Sequence, residues 1–488
     1  MTGDLSVVLA SNRGPVSFVR TSEGFEIVRG AGGLAGALDP VARRLGADAV
    51  WIAAATSDAD RAALRAGAAD GLENQLGYPV YLLDIDEDTY ARYYDEVSNR
   101  MLWFANHCLW DELDIPPFGE KEAAAWRDAY VPVNERFAAA ILETADPGSV
   151  VLLQDYHLSV APGVLRQARP EQQIFHFTHS SFCAAGLERL PESMATGVVE
   201  GMLGADLVGF HTRAWAEEFL TACEMLGHRV NREEGRVDRG ERTTWVRSYP
   251  ISVDAGELRK RAAAIAAQSW VDRFSASAEI LIVRADRTEP SKNILRGFEA
   301  FGTLLDRRED LQGKTRFIAC LYPSRQSMGE YRSYADLIER TAAEINSRHP
   351  GSIDLYMEDD FDRTLGALRV YDLLLVNSIM DGMNLVSKEG SVINERAGVI
   401  VLSTRAGSYE ELGDQVFEIA DPLDVEETAA AMESALALSP AERTSRAEEL
   451  RARVEGRTPE DWIETQLDDL VALREKGEPV TPPTRATG

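Results

Sequence analysis

Four apolar residues, Leu373, Leu374, Leu375 and Val376, stand between Asp372 and Asn377. A run so short and so uniformly apolar fits a strand buried on both faces, the kind found in parallel sheets. The pattern then changes. Through Asp381-Gly382-Met383-Asn384-Leu385-Val386-Ser387-Lys388-Glu389 and beyond, Leu385, Val386, Val392 and Ile393 recur at helical spacing. The stretch therefore predicts a strand, a turn at residues 381–384 with Gly382 at its tightest point, and a helix. A helix start directs free N–H groups and partial positive charge outward, which suits a phosphate or a developing anion. Glu389 follows one to two turns later, at a reach suited to ribose hydroxyls. An ordinary strand–loop–helix capped by Asp381 fits the same spacing.

The alternation recurs along the chain. Apolar runs at residues 7–10, 50–54, 150–153, 174–177, 207–210, 280–283, 317–321 and 399–402 read as further buried strands, most followed by a helical pattern. Such repetition predicts an α/β fold with parallel sheets, and 488 residues are too many for one core. The pattern restarts after residues 246–253, so two doubly wound, Rossmann-like halves are expected, with a boundary near Ser252. Open sheets of this class receive ligands at the C-terminal ends of their strands. The polar residues at those ends are Arg13, Asp155, His179, Arg287 with Lys292, and Arg325. Arg287 and Lys292 flank a helix beginning near Asn293, an arrangement suited to a diphosphate. Asp155 as a cap and His179 as a satisfied core residue are the plain alternatives. The glycine-rich segment at residues 30–36 opens a helix without following a strand directly, so it is not the dinucleotide fingerprint. It reads as a loop whose amides approach a ligand, or as a flexible connection. Tyr94, Ser98, Asn99, Trp103 and His107 fit either sugar stacking or a core.

A net charge of −29 argues against nucleic acid or an anionic membrane as partner. No apolar run approaches the length of a membrane span, and the first residues lack the pattern of a signal peptide. The expectation is a cytoplasmic protein. Cys108, Cys183, Cys223 and Cys320 are scattered without metal-ligand spacing and read as reduced, mostly buried thiols. Asp84 and Asp86 have the D-x-D spacing of metal-dependent sugar transferases, but they precede a helical pattern and read as an acidic helix start. No metal is expected.

Taken in order, Ser11-Asn12-Arg13, Gly32-Gly33-Leu34, Tyr94 with Ser98-Asn99 and Leu102-Trp103, Asp155-Tyr156-His157-Leu158, His179, Asp286-Arg287 with Lys292, Pro323-Ser324-Arg325 and Asp381 through Glu389 resemble the trehalose-6-phosphate synthase family. These are retaining glucosyltransferases of the GT-B fold, and the resemblance runs over residues 7–470. It implies two Rossmann-like domains facing a central cleft: an acceptor domain at 1–252 and a nucleotide-sugar domain at 253–455. A helix at 456–474 would cross back to the first domain, ahead of a disordered tail at 475–488. It also implies retaining, metal-independent transfer of glucose from a nucleoside diphosphate glucose to glucose 6-phosphate. Asp155, His179, Arg287, Lys292 and Asp381 would be catalytic. Gly33, Arg287, Lys292, Gly382, Met383, Asn384, Leu385, Val386 and Glu389 would bind the donor, with Gly32 and Gly33 in a closing loop. Arg13, Tyr94, Trp103, Asp155 and Arg325 would bind the acceptor. The partners would be these small molecules, with no cofactor, and a homo-oligomer stays open.

The chain departs from the family pattern at three places. Ser180-Ser181-Phe182-Cys183 replaces an Ile-Pro-Phe-Pro-like segment, Glu289-Pro290-Ser291-Lys292-Asn293 an Asp-Tyr-Ser-Lys-Gly run, and Ala53-Ala54-Ala55-Thr56 a Gly-Trp-Ser-Gly segment. The segments at residues 286–293 and 394–396 are similar to those of the validoxylamine 7′-phosphate synthases, which couple a GDP-cyclitol to an aminocyclitol phosphate. The shared segments favour GDP-glucose over UDP-glucose, and cyclitol coupling is the alternative reading.

Overall fold

Each apolar run of the first half is a strand in a computed structural model, which describes residues 6–30, 33–110 and 118–483. The strands are β1 Val7–Ser11, β2 Val16–Thr21, β3 Gly24–Arg29, β4 Ala49–Ala54, β5 Val80–Leu83, β6 Val150–Gln154, β7 Gln173–Thr178, β8 Leu207–Phe210, β9 Arg229–Asn231, β10 Arg236–Arg239 and β11 Arg242–Ser248. Nine form one sheet in the order β5-β4-β1-β6-β7-β8-β11-β10-β9, while β2 and β3 make a separate hairpin. Pairing is parallel from β5 to β11 and antiparallel only at β10 and β9. The chain moves outward from β1 through β4 to β5, then returns to the other side of β1 at β6. Such a reversal of strand order is where an open α/β sheet takes its ligand.

The second half repeats the plan with β12 Ile280–Arg287, β13 Thr315–Tyr322, β14 Ile353–Met357, β15 Leu373–Val376, β16 Val399–Ser403 and β17 Phe417–Ile419. All are parallel, in the order β14-β13-β12-β15-β16-β17, so the reversal lies between β12 and β15. Alternate residues of β12 serve two cores. Leu281, Val283 and Ala285 pack with Val271, Phe274 and Leu365, and Ile282 packs with Phe298, Phe301 and Phe317. Strands covered on both faces need no polar alternation, which is why these runs are uniformly apolar.

The chain separates into two compact units, one of residues up to Pro250 and again from Glu460, the other of Ile251–Pro459. The final helix, Pro459–Lys476, belongs almost wholly to the first unit, where Trp462 packs edge-on against Phe177.

Four features differ from expectation. The amphipathic pattern over residues 121–144 predicts one long helix, but the structure has Glu120–Ala125, a wider π-type turn at Trp126–Tyr130, and Val131–Thr144. Pro132, which has no N–H to donate, sits at the start of the last piece. The antiparallel ribbon of β9 and β10 went unread because its strands are short and charged. Where disorder is expected from Glu475, the backbone amides of Val480 and Thr481 donate to Asp469 Oδ1 at 2.7 and 2.8 Å, and Arg247 donates to the Thr481 carbonyl. The chain is thus held up to the last described residues, and 484–488 lie outside them. Finally, Cys223 and Cys320 are free and buried, but Cys108 and Cys183 form a disulfide across 75 residues. Spacing alone could not reveal that pair, which the packing of Gly186 against Ala105 brings together.

Candidate functional site

In the first unit the strand ends on either side of the reversal carry most of the predicted residues. Asp155 follows β6 with φ 73° and ψ 164°, a region almost reserved for glycine. It is held there from several sides. Its N–H donates to the Phe177 carbonyl at 2.6 Å, and its Oδ1 accepts from the amides of Tyr156 at 3.0 Å and His179 at 3.1 Å. His179, just past β7, lies 2.9 Å from Gln154 Oε1 through Nε2. Burial holds its imidazole well below the ordinary value, and His211, His176 and His157 lower it further. The ring is therefore neutral at working pH. From the end of β1, exposed Arg13 donates to the Tyr94 hydroxyl at 3.2 Å. Tyr94 stacks on Tyr90 and on His157, and His157 Nδ1 lies 3.7 Å from Asp155. Arg13, Tyr94, His157 and Asp155 thus form one connected group.

Trp103 lies deeper than Arg13 and Tyr94. It is 3% exposed, with its ring 4.1 Å from that of His107. Ser98 and Asn99 are also buried: Ser98 Oγ donates to the Tyr93 carbonyl, and Asn99 Oδ1 accepts from the Tyr156 hydroxyl. Gly33 is the first residue of the helix Gly33–Leu45, and Gly32 lies outside the described residues. Asp86 caps the helix Glu87–Ala91 by accepting from Thr89 N, as its place in the sequence suggests, and Asp84 pairs with Arg65.

In the second unit β12 ends at Arg287, and a single turn, Pro290–Lys292, leads into the helix Ile294–Arg307. Lys292 Nζ reaches Asp381 Oδ2 at 2.5 Å, and Asn384 Nδ2 donates to the same oxygen at 3.0 Å. The loops after β12 and β15 are latched. Asn293 and Asn377 exchange side-chain amide bonds to each other's carbonyls, and Ile379 N donates to the Ser291 carbonyl. Helix Leu385–Ile393 follows, with Val386 in its first turn. Its cap is Asn384, not Asp381: Asn384 Oδ1 accepts from Ser387 N, and Asn384 takes the left-handed conformation, φ 68°. Asp381 lies a turn too early to cap, which leaves its carboxylate to Lys292. Gly382 and Met383 lie inside the same turn, where the Met383 carbonyl accepts from Ser408 N. Burial pushes the partly exposed Glu389 up to about 7, against a smaller downward pull from Arg261. Arg325 stands close to Arg287: its Nη1 lies 3.7 Å from Glu289, which Arg287 contacts at 2.9 Å.

Asp155, Asn293, Arg325 and Asn384 all have positive φ. Each such non-glycine residue costs on the order of 1–3 kcal/mol, and such strain gathers where function demands it. Three residues escaped the sequence reading: Gln154 beside His179, Arg284, and Glu289. Arg284 is fully buried and donates to Asp286 Oδ2 and to the Lys292 carbonyl, fixing the turn that carries Lys292. The signal was present, since Arg284 and Asp286 stand two apart in a strand and so share a face. Among the described residues no three His, Cys, Asp or Glu side chains gather as metal ligands, and no helix is long and apolar enough to cross a membrane.

The model of glycosyltransferase family 20 matches residues 5–472. The chain is 32% identical over 500 residues to a trehalose-6-phosphate synthase of Mycobacterium sp. strain KMS, covering 98% of each protein. It is also 32% identical over 437 residues to the validamine 7-phosphate valienyltransferase of Streptomyces hygroscopicus subsp. jinggangensis, covering 86% of this chain and 85% of that one. Among solved structures, the Escherichia coli trehalose-6-phosphate protein bound with UDP-2-fluoro glucose superposes with a TM-score of 0.80 at 26% identity, covering 95% of this chain and 98% of that one. The expected α/β architecture, GT-B, is the one shared with these structures.

Proposed function

Because the chain belongs to glycosyltransferase family 20, we propose that it makes α,α-trehalose 6-phosphate, moving glucose with retention from a nucleoside diphosphate glucose to glucose 6-phosphate. The observation that carries this reading is the latched turn at the second sheet's reversal, where Arg287 is 41% exposed and Lys292 is clamped to Asp381. Loss of a nucleoside diphosphate from an anomeric carbon builds negative charge on the diphosphate. Fixed cations and a helix start are what such a transition state needs. On this reading Arg287 and Lys292 hold the diphosphate, and Glu389 takes the ribose. The turn from Asp381 through Val386 faces the donor sugar. Asp155 and His179 contact sugar, and Arg13, Tyr94 and Arg325 receive the acceptor and its phosphate, while Trp103, buried against His107, backs the site without touching it. GDP-glucose is the preferred donor, because residues 286–293 follow the cyclitol-coupling pattern. We expect the reaction in the cytoplasm, without metal.

Incubation with glucose 6-phosphate and either donor tests this reading. A product that yields trehalose after phosphatase treatment is expected, faster with GDP-glucose than with UDP-glucose and unchanged by EDTA, with the α configuration by NMR. An inverted product would end the retaining path, and a marked loss with EDTA would bring back Asp84 and Asp86. The equal identity to the valienyltransferase supports a second reading, cyclitol–amine coupling. Turnover of a GDP-cyclitol with an aminocyclitol phosphate, and none with glucose 6-phosphate, would decide for it.

The raised Glu389 carboxyl predicts a pH effect. It is mostly protonated below pH 7 and charged above it, and the charged form is the better acceptor for ribose hydroxyls. Donor KM should therefore fall as pH rises through 7, and Glu389→Gln should flatten that dependence. Identical profiles would overturn the ribose role. For stability the sign is reversed. The folded form holds this proton more tightly than the unfolded chain, so the contribution is full below the ordinary 4.5 and is lost as pH climbs through 7.

A further inference from the structure

We propose that Glu289 is a positioning residue which sets both phosphate-recognising arginines, Arg287 and Arg325, from one buried carboxylate. The inference rests on the donor and acceptor roles given to those arginines above. Glu289 is fully buried. Its Oε1 faces Arg287 Nη1 at 2.9 Å and Arg325 Nη1 at 3.7 Å, and it accepts from Ser324 Oγ at 2.8 Å. Its Oε2 is buried without a hydrogen bond. Two hydrogen bonds tie its loop to the loop carrying Arg325: Thr288 N donates to the Tyr322 carbonyl, and Ser324 N donates to the Thr288 hydroxyl Oγ1. Arg325 is held from the other side as well, with φ 47°, a 2.6 Å bond to the Tyr331 hydroxyl and its guanidinium over the Tyr331 ring.

A carboxylate buried this deeply is costly unless cations compensate it. Burial pushes its pKa up, but the charges of Arg287, Arg325 and Lys292 and the Ser324 hydroxyl outweigh that and hold it at about 2. Glu289 is therefore a permanent negative charge beside groups assigned to anions. Such a charge opposes phosphate binding. What it supplies is orientation: both guanidinium groups are aimed before substrate arrives, which matters most where charge develops in the transition state. A residue acting this way separates binding from turnover. Removing its charge relieves repulsion of the anions but leaves the arginines unaimed.

The test uses the full-length wild type, Glu289→Gln and Ser324→Ala. Turnover kinetics are combined with calorimetric titration of GDP, UDP and glucose 6-phosphate. In Glu289→Gln, kcat should fall about ten- to a hundredfold, the range for removing a group that orients an active one. Both diphosphate and glucose 6-phosphate should bind as tightly as in the wild type or more tightly. Ser324→Ala, which removes one hydroxyl from the same oxygen, should move kcat in the same direction by less, and it carries the test if Glu289→Gln does not fold. Unchanged kcat, weaker binding of either anion, or an effect confined to one substrate would overturn the proposal. A wild type inactive with glucose 6-phosphate would end the proposed reaction instead. The titrations would still judge Glu289, with weaker anion binding in the variant counting against it and equal or tighter binding for it.

Discussion

Arg287→Ala and Lys292→Ala are each expected to lower glucosyl transfer by about a hundredfold or more, the usual cost of removing one group that stabilises transition-state charge. Arg287 is 41% exposed at the end of β12, so its loss removes a charge without opening a core. It is also the nearest cation to the fully buried Glu289, so its variant should keep the wild-type circular dichroism spectrum but melt earlier. Lys292 is placed in a comparable way. Its ammonium is the cationic partner of Asp381, which is itself largely buried. Lys292→Ala removes the nearest cation from that carboxylate, and the Asn384 amide and the Ser378 hydroxyl bring it hydrogen bonds but no charge. The lysine variant should therefore lose some stability as well as activity. Near-normal product formation in both variants would remove the diphosphate assignment.

Gly186→Ala is expected to be the most damaging single-methyl change near the predicted first-unit residues. A Cβ there would overlap the carbonyl oxygen of Ala105 and lie 2.8 Å from its carbonyl carbon. Both are main-chain atoms, and neither can turn aside as a side chain would. The contact joins the helix Ala184–Leu187, which follows the loop after His179, to the helix Trp103–Asn106. The same crossing carries the bonds from Trp110 Nε1 to the Gly186 carbonyl, from Asn106 to Ser180 Oγ and from Ser181 Oγ to Asn106. Overpacking costs about 1–3 kcal/mol and occasionally more, and a main-chain overlap belongs at the upper end, a fall of several degrees in Tm. A calorimetric midpoint equal to that of the wild type would show that the two helices can part freely.

The strands were legible because burial on both faces writes an unambiguous pattern. The runs at 7–10, 150–153 and 280–283 appear as β1, β6 and β12 with boundaries shifted by one residue or extended into polar sequence. Arg284, Asp286 and Arg287 extend β12 beyond its apolar part, and hydropathy alone stops short of them. The positions of Arg13, Asp155, His179, Arg287 and Lys292 at strand ends were legible for the same reason. What was not legible depends on contacts between distant residues. Trp103 and Tyr94 look alike in the sequence, yet one is buried and the other partly open. Asn384 rather than Asp381 caps its helix because it is Asn384 that directly precedes the first helical residue, Leu385. Glu289 showed only as part of a departure from the family pattern, since its meaning comes from Arg325, which lies on a different loop.

The backbone at Asp155 has a consequence for how this position tolerates change. Glycine alone would rest comfortably at that φ and ψ, so every side chain placed there carries a conformational debt. Asp155→Gly should therefore melt later than Asp155→Ala, although neither keeps a carboxylate, and the gap between their melting points would measure what the chain gives up in robustness to keep an acid at the end of β6.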